Sequence, residues 1–160
     1  MKAGLLLFSL FFLISCATNP YRPYKGSTGY SEIQTGKDTF EIQFHGTTKQ
    51  DELKAKEYAI ARAAEIARGR NAPYFKIEDA KTHERQELYS YYSPGYYPYY
   101  AYPGYGYYDG GYGSCYSYVE TRPVVRITVT MENAPCDGCR STSQEIREAQ
   151  ASGILQQHAG

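Results

Sequence analysis

Between Thr39 and His45 the chain alternates strictly: Phe40, Ile42 and Phe44 are apolar, while Glu41, Gln43 and His45 are polar. A period of two sends the two sets to opposite faces, so the stretch predicts a strand with one buried side. A shorter candidate, Gly29–Gln34, precedes it across Thr35-Gly36-Lys37-Asp38, whose turn chemistry predicts a hairpin. The alternation returns at Val125, Ile127, Val129 and Met131, with Arg126, Thr128 and Thr130 between them. Phe75 and Ile77, alternating with Lys76 and Glu78, give a briefer version, predicting a third strand that runs to about His83.

Over residues 52–70 the period lengthens, and Leu53, Ile60, Ala63, Ala64 and Ala67 fall along one side of a predicted helix. Thr47 or Thr48 is the expected cap, with Asp51 at capping-box spacing from Thr48. Asp51 and Glu52 suit the positive end of the helix dipole, Arg68 and Arg70 the negative end, and Gly69 is the expected stop. Burying these faces together gives an α+β fold. It is a small antiparallel sheet of about four strands, in chain order ββαββ, with one main helix packed on it. The expected core, residues 29–83 and 116–131, is small, and its stability should be modest.

A long segment resists this treatment. Of the 19 tyrosines, 14 lie in residues 89–118, among recurrent glycines and prolines. Pro94, Pro98 and Pro103 interrupt any ladder, Gly104, Gly106, Gly110, Gly111 and Gly113 raise the entropic cost of order, and aliphatic side chains are missing. Residues 89–115 therefore read as a long low-complexity loop before the last strand. Tyrosine is adhesive, a flat apolar ring with a hydroxyl and few rotors to freeze. The candidates for contact are Tyr92, Tyr96, Tyr97, Tyr99, Tyr100, Tyr102, Tyr105, Tyr107, Tyr108 and Tyr112. Suitable surfaces are sugar rings of an envelope glycan, an outer-membrane protein, the headgroup layer of a bilayer, or other copies of the chain.

The other end of the chain carries an address. After Lys2, residues 3–14 are apolar apart from Ser9 and run into Leu13-Ile14-Ser15-Cys16. Twelve residues fall short of the ~20 a transmembrane helix needs, and the pattern fits an export signal. It resembles a bacterial lipobox. That implies cleavage after residue 15 and acylation of Cys16 by diacylglycerol and an N-acyl chain, a covalent anchor to the lipid bilayer. Ala17 in place of Asp favours the outer membrane. The organisation that follows is a signal peptide at 1–15, a flexible tether at 16–28, a domain at 29–131, and a cysteine-containing loop and helical tail at 132–160.

Composition narrows function further. Basic and acidic residues balance at 17 each, and no basic stripe alternates with aromatics, so nucleic acid is a poor partner. Cys136 and Cys139 form a CxxC, and Cys115 closes the tyrosine segment. In an exported chain the pattern predicts a structural disulfide, either Cys136 with Cys139 or Cys115 with one of them. A redox dithiol is the second reading. A zinc site with a fourth ligand from His45, His83 or His158 is the third. The helix predicted after Thr142 or Ser143 places Cys139 just outside its start. No nucleophile or metalloprotease motif is present, and the chain does not read as an enzyme.

The stretches "GYSE", "FEIQFHG", "YAIARAAEIA" and "APYFKI" carry a resemblance. With Gly29-Tyr30-Ser31, Phe44-His45-Gly46, and Tyr58 ahead of Arg62-Ala63-Ala64-Glu65, the chain is similar to a family of short bacterial lipoproteins that carries no catalytic assignment. The match covers residues 16–83 and, more loosely, 116–131. It implies the lipid anchor and the small α+β domain. The tyrosine segment and the CxxC depart from it. Arg62 and Glu65 read as a surface ion pair at i, i+3 before they read as a ligand contact. The expectation is thus a non-enzymatic envelope lipoprotein making contacts through its tyrosine-rich loop. The alternative is a thiol or metal protein using Cys115, Cys136 and Cys139. Replacing Cys16 tests the address: Cys16→Ser should abolish incorporation of labelled palmitate and move the protein out of the membrane fraction.

Overall fold

The alternation in residues 39–45 puts Phe40, Ile42 and Phe44 into the core and leaves the residues between them on the other face. The computed structural model describes residues 20–93 and 114–156, so Cys16 and the tyrosine candidates from Tyr96 to Tyr112 lie outside the described residues. In chain order the elements are β1 (Gly29–Gln34), β2 (Thr39–His45), α1 (Glu52–Gly69), β3 (Tyr74–Ser93), β4 (Ser114–Glu132), β5 (Cys139–Ser141) and α2 (Thr142–Ala151). The strands make one antiparallel sheet in the order β1-β2-β4-β3-β5. The α+β class and the ββαββ order hold, with a short fifth strand and a second helix joined to them.

Helix α1 lies against the sheet because its inner surface is almost all alanine. Ala55, Ala59, Ala63, Ala64 and Ala67 are fully buried, and such small side chains let the helix axis come close to the strands. Tyr58 supplies the bulk, its ring stacked on Phe44 with centroids 4.8 Å apart and planes 10° from parallel. Leu53, expected on this side, is 68% exposed, since it sits in the first turn before the helix reaches the core at Ala55.

The caps differ from expectation in instructive ways. Asp51, not a threonine, is the N-cap, and its carboxylate accepts from the Lys54 N–H at 2.7 Å. Thr47 is held one turn earlier by Gln50, whose Oε1 accepts the Thr47 N–H at 2.8 Å. At the other end Asn71, with φ 58°, takes the left-handed position that Gly69 was expected to serve. The Ala72 N–H reaches Ala67 O and the Asn71 N–H reaches Arg68 O, the paired closure of a Schellman motif.

Two segments read as peripheral belong to the domain. Residues 20–28 were expected to be part of a tether that cannot pack, but Tyr21 packs on the core, 5.1 Å from the Tyr30 ring and 5.9 Å from that of Tyr58. The segment folds back so closely that a Cβ on Gly29, at φ +118°, would sit 2.5 Å from Arg22 O. The tail at the other end contributes Ile146, Ala149, Ile154 and Leu155 to the same core. It is fastened by buried Thr142, whose hydroxyl donates to Ala72 O at 2.8 Å.

β3 and β4 outrun the rest of the sheet. They pair continuously from Tyr74 with Glu132 to Ser93 with Ser114, past the last contact of β4 with β2 at Val124. The loop expected over residues 89–115 thus loses both its ends to strand. Tyrosine and serine alternating along a pleat suit a ladder well, and the first proline comes only at Pro94. Truncating the central stack should be costly: Phe44→Ala is expected to lose about 3–5 kcal/mol, read as a fall in the denaturant midpoint without a change in slope.

Candidate interaction surface

Past Val124 the β3–β4 pair is, among the described residues, a two-stranded ribbon with two chemically different faces. On one, Arg85, Glu87, Tyr89 and Tyr91 of β3 lie opposite Arg122, Glu120, Tyr118 and Tyr116 of β4. The tyrosines stack in cross-strand pairs, Tyr89 on Tyr118 and Tyr91 on Tyr116, each with centroids 5.5 Å apart. On the other face Leu88 lies opposite Val119, Ser90 shares a 2.9 Å hydrogen bond with Ser117, and Tyr92 lies opposite Cys115. Leu88 and Val119 are 70% and 56% exposed, and Tyr91, Tyr92, Tyr116 and Tyr118 are exposed as well. Apolar and aromatic surface open to this degree among the described residues makes the ribbon the candidate for docking.

The ribbon's base is built from charge. Arg122 donates to Glu120 at 2.6 Å and to the Ser27 hydroxyl at 2.6 Å, with Glu87 3.7 Å from its Nε. Arg85 pairs with Glu87 at 2.7 Å and donates to the Tyr24 hydroxyl at 3.3 Å. The hydrogen bond from Tyr89, then the two arginines, hold the Glu87 carboxyl below its ordinary range; the same bond holds the Tyr89 phenol above its own. Through Tyr24 and Ser27 the segment ahead of β1 clasps this base. Val124, next to Val125 on the strand and so facing away from the helix, is buried as well.

Beside Val124 lies His45, whose ring meets that of Tyr24 at 4.5 Å. Its Nδ1 is buried with no hydrogen-bond partner among the described residues. Burial first, then the charge of Arg85 and the neighbouring His83, pull the His45 pKa below its ordinary value, against a smaller opposing effect of Glu87. An imidazolium would need a partner for both nitrogens, so the site favours the neutral ring.

Arg62 and Glu65 turn out to be more than a solvated pair. Arg62 bridges Glu65 at 2.9 Å and Glu32 of β1 at 2.6 Å, and lies 4.4 Å over the Tyr30 ring. Burial works against its charge, but the two carboxylates outweigh it and hold the guanidinium pKa above the ordinary value. Glu65 accepts the Tyr21 hydroxyl, and burial followed by that bond drives the phenol pKa well up. These residues fasten the N-terminal segment and the edge strand to the helix.

The cysteines separate. Cys136 and Cys139 form a disulfide across a tight turn in which the Cys139 N–H reaches Cys136 O, just ahead of β5. Cys115 is free and exposed near the outer end of the ribbon. Cys139 pairs with Lys76 and Cys115 with Tyr92 along the same strand, a separation on the order of 50 Å at strand rise. The three cysteines therefore cannot share one thiol or metal site. Among the described residues no group of three potential ligands is gathered for a metal.

No protein-family model, curated protein or solved structure matches the chain. Among the described residues no helix is long and apolar enough to cross a membrane. The residues that sequence reasoning missed are Tyr89, Tyr91, Tyr116 and Tyr118 as an ordered ladder, and Tyr24, Ser27, Arg85 and Arg122 as its footing. The available signal was the Tyr-Ser alternation on both sides of the proline-rich stretch.

The His45 environment sets a pH dependence. The folded pKa lies below the unfolded value of about 6.5, so in that window the unfolded chain binds more protons and stability rises with pH. Unfolding free energies should therefore fall from pH 7.5 to pH 5.5, and His45→Gln should flatten this slope; an unchanged slope would discount the site.

Proposed function

We infer that the protein is a non-enzymatic lipoprotein of the bacterial cell envelope, anchored through acylated Cys16 at the outer membrane, that holds a partner through a tyrosine-rich arm. The observation that carries this is the exposed ribbon, with its two stacked tyrosine pairs and its uncovered Leu88–Val119 pair. The ribbon extends from the sheet and leads into residues 94–113, which hold nine further tyrosines. Contacts of this kind are individually weak. Confinement at a membrane and repetition along the arm raise their combined strength. Ring stacking with phenolic hydroxyls alongside suits the sugar faces of an envelope glycan or the aromatic rim of an outer-membrane protein.

The thiol or metal reading has less support, because Cys115 and the Cys136–Cys139 bridge sit at opposite ends of β3. A quantitative pull-down of solubilised envelope material on the full chain separates the two. Replacing Tyr91 and Tyr116 together by Ser should cut retention several-fold, and removal of residues 94–113 should deepen the loss. Cys136→Ser with Cys139→Ser should leave retention unchanged. Loss only in the cysteine variant would sink the adhesive reading and favour the other.

A further inference from the structure

β5 covers the outer edge of β3 only from Tyr74 to Lys76. Beyond that, β3 is an edge strand as far as Ser93, with no strand beside it among the described residues. A long open edge is a template for another strand, and folds usually guard it with bulges and charges. This edge carries a bulge at Glu78, the Asp79–Lys81 pair and the charges of Glu84, Arg85 and Glu87, and only then does the guarding stop: residues 88–93 carry no charge and no proline.

The side chains along the edge say what fits it. On one face of β3, Lys81, His83 and Arg85 are followed by Glu87, Tyr89 and Tyr91. The first three are basic; the last three offer a carboxylate and two aromatic rings. Laid antiparallel against itself about Gln86, this series is self-complementary. Arg85 meets Glu87 of the other copy as an ion pair, His83 meets Tyr89 ring to ring, and Lys81 meets Tyr91 as a cation on a π face. On the opposite face Thr82 meets Ser90 and Ala80 meets Tyr92. Only the Glu84–Leu88 pairing is indifferent. An unrelated strand has no reason to match both faces in one register.

We propose that the occupant of this edge is a second copy of the chain, forming a two-fold dimer in which the two β3 strands pair antiparallel about Gln86 and join the sheets into one. Such an interface is isologous, since each residue i faces the residue whose number completes the same sum in its mate. It also gives each ribbon the third strand that a free two-stranded ribbon lacks in water. The dimer requires neither the lipid anchor nor an envelope partner, so it stands or falls apart from the functional reading above.

The register makes the test sharp. Directly opposed Cα atoms lie about 4.5–5.5 Å apart, within disulfide reach. In a Cys115→Ser background, Gln86→Cys should therefore link two full chains on mild oxidation of the purified protein. Glu84→Cys, displaced from its mate by about 13 Å of strand, should not. In detergent, the full chain should sediment as a dimer. Glu87→Arg should weaken it roughly tenfold by setting two like pairs face to face, and Glu87→Arg with Arg85→Glu should restore it. Because Arg85 also pairs with Glu87 within one chain, each variant is unfolded in denaturant alongside: a dimer lost at an unchanged unfolding midpoint reports the interface, and one lost only together with the midpoint overturns the assignment. A chain that stays monomeric throughout a dilution series overturns the proposal. So does linking at Glu84→Cys equal to that at Gln86→Cys, or a reversed pair that stays dissociated.

Discussion

One strand has to satisfy two environments, and most of the molecule is arranged around how β4 does so. Its second half lies between β2 and β3 in the middle of the sheet, and the neighbours Val124 and Val125, which point to opposite faces, are both buried there. Its first half, among the described residues, pairs with β3 and with no other strand. The pairing between them must stay in phase throughout, since a slip of one residue would exchange the faces along the whole ribbon. The bulge at Glu78 makes this possible. Ile77 faces Val129 and Ala80 faces Ile127, so the extra residue keeps both on the helix side and turns Asp79 outward to Lys81. Without it, Asp79 would oppose Ile127 on the side where the core lies.

From this follows the division of the domain into a dry end and an open end. At the dry end α1, α2 and the tail close over Phe75, Ile127 and Val129, while Arg70 ties the β1–β2 turn to the helix by donating to Gln34 and lying 4.6 Å over Phe40. At the open end the sheet thins to two strands, and the N-terminal segment takes over the work of burial. Tyr21 packs on the helix face; Tyr24 and Ser27 reach the opposite face; the turn between them brackets the first residues of β1. Gly46 has a matching role across the sheet, where a Cβ would lie 2.7 Å from the Pro123 ring and its N–H reaches Pro123 O at 2.8 Å.

The parts legible in the sequence were those where burial imposes a period. β2 and the second half of β4 bury aliphatic residues at every other position, and their alternation stands out. The outer half of the ribbon buries almost nothing, so its period is written in tyrosine and serine, residues that elsewhere signal loops as readily as strands. The tether was misread for a related reason: Tyr21 and Tyr24 anchor it by rings and hydroxyls in a stretch without aliphatics, where composition alone points to a solvated chain. The Thr48–Asp51 spacing is a fair capping box, but it competed with Asp51 itself as the cap, and the carboxylate at the positive helix end won. Of the candidate site, the cysteine pairing was among the alternatives weighed. The separation of Cys115 from the bridge was hidden, because it depends on how far β3 runs.

The same geometry constrains how the arm stands relative to a bilayer. Only residues 17–19 separate Cys16 from Pro20, so with Cys16 acylated the domain lies within about 14 Å of its lipid. The segment that follows is fixed at both ends of that short reach, by Tyr21 on Glu65 and by Tyr24 and Ser27 on the ribbon's own base. On the proposed reading, an anchor at Cys16 would join the domain at the end of the sheet from which the arm projects. An arm rooted beside such a tether would be held near the membrane surface, which would favour partners embedded in or lying on that surface over ones that diffuse freely. Tyrosine, with an apolar body and a polar tip, is the residue type that tolerates this layer best.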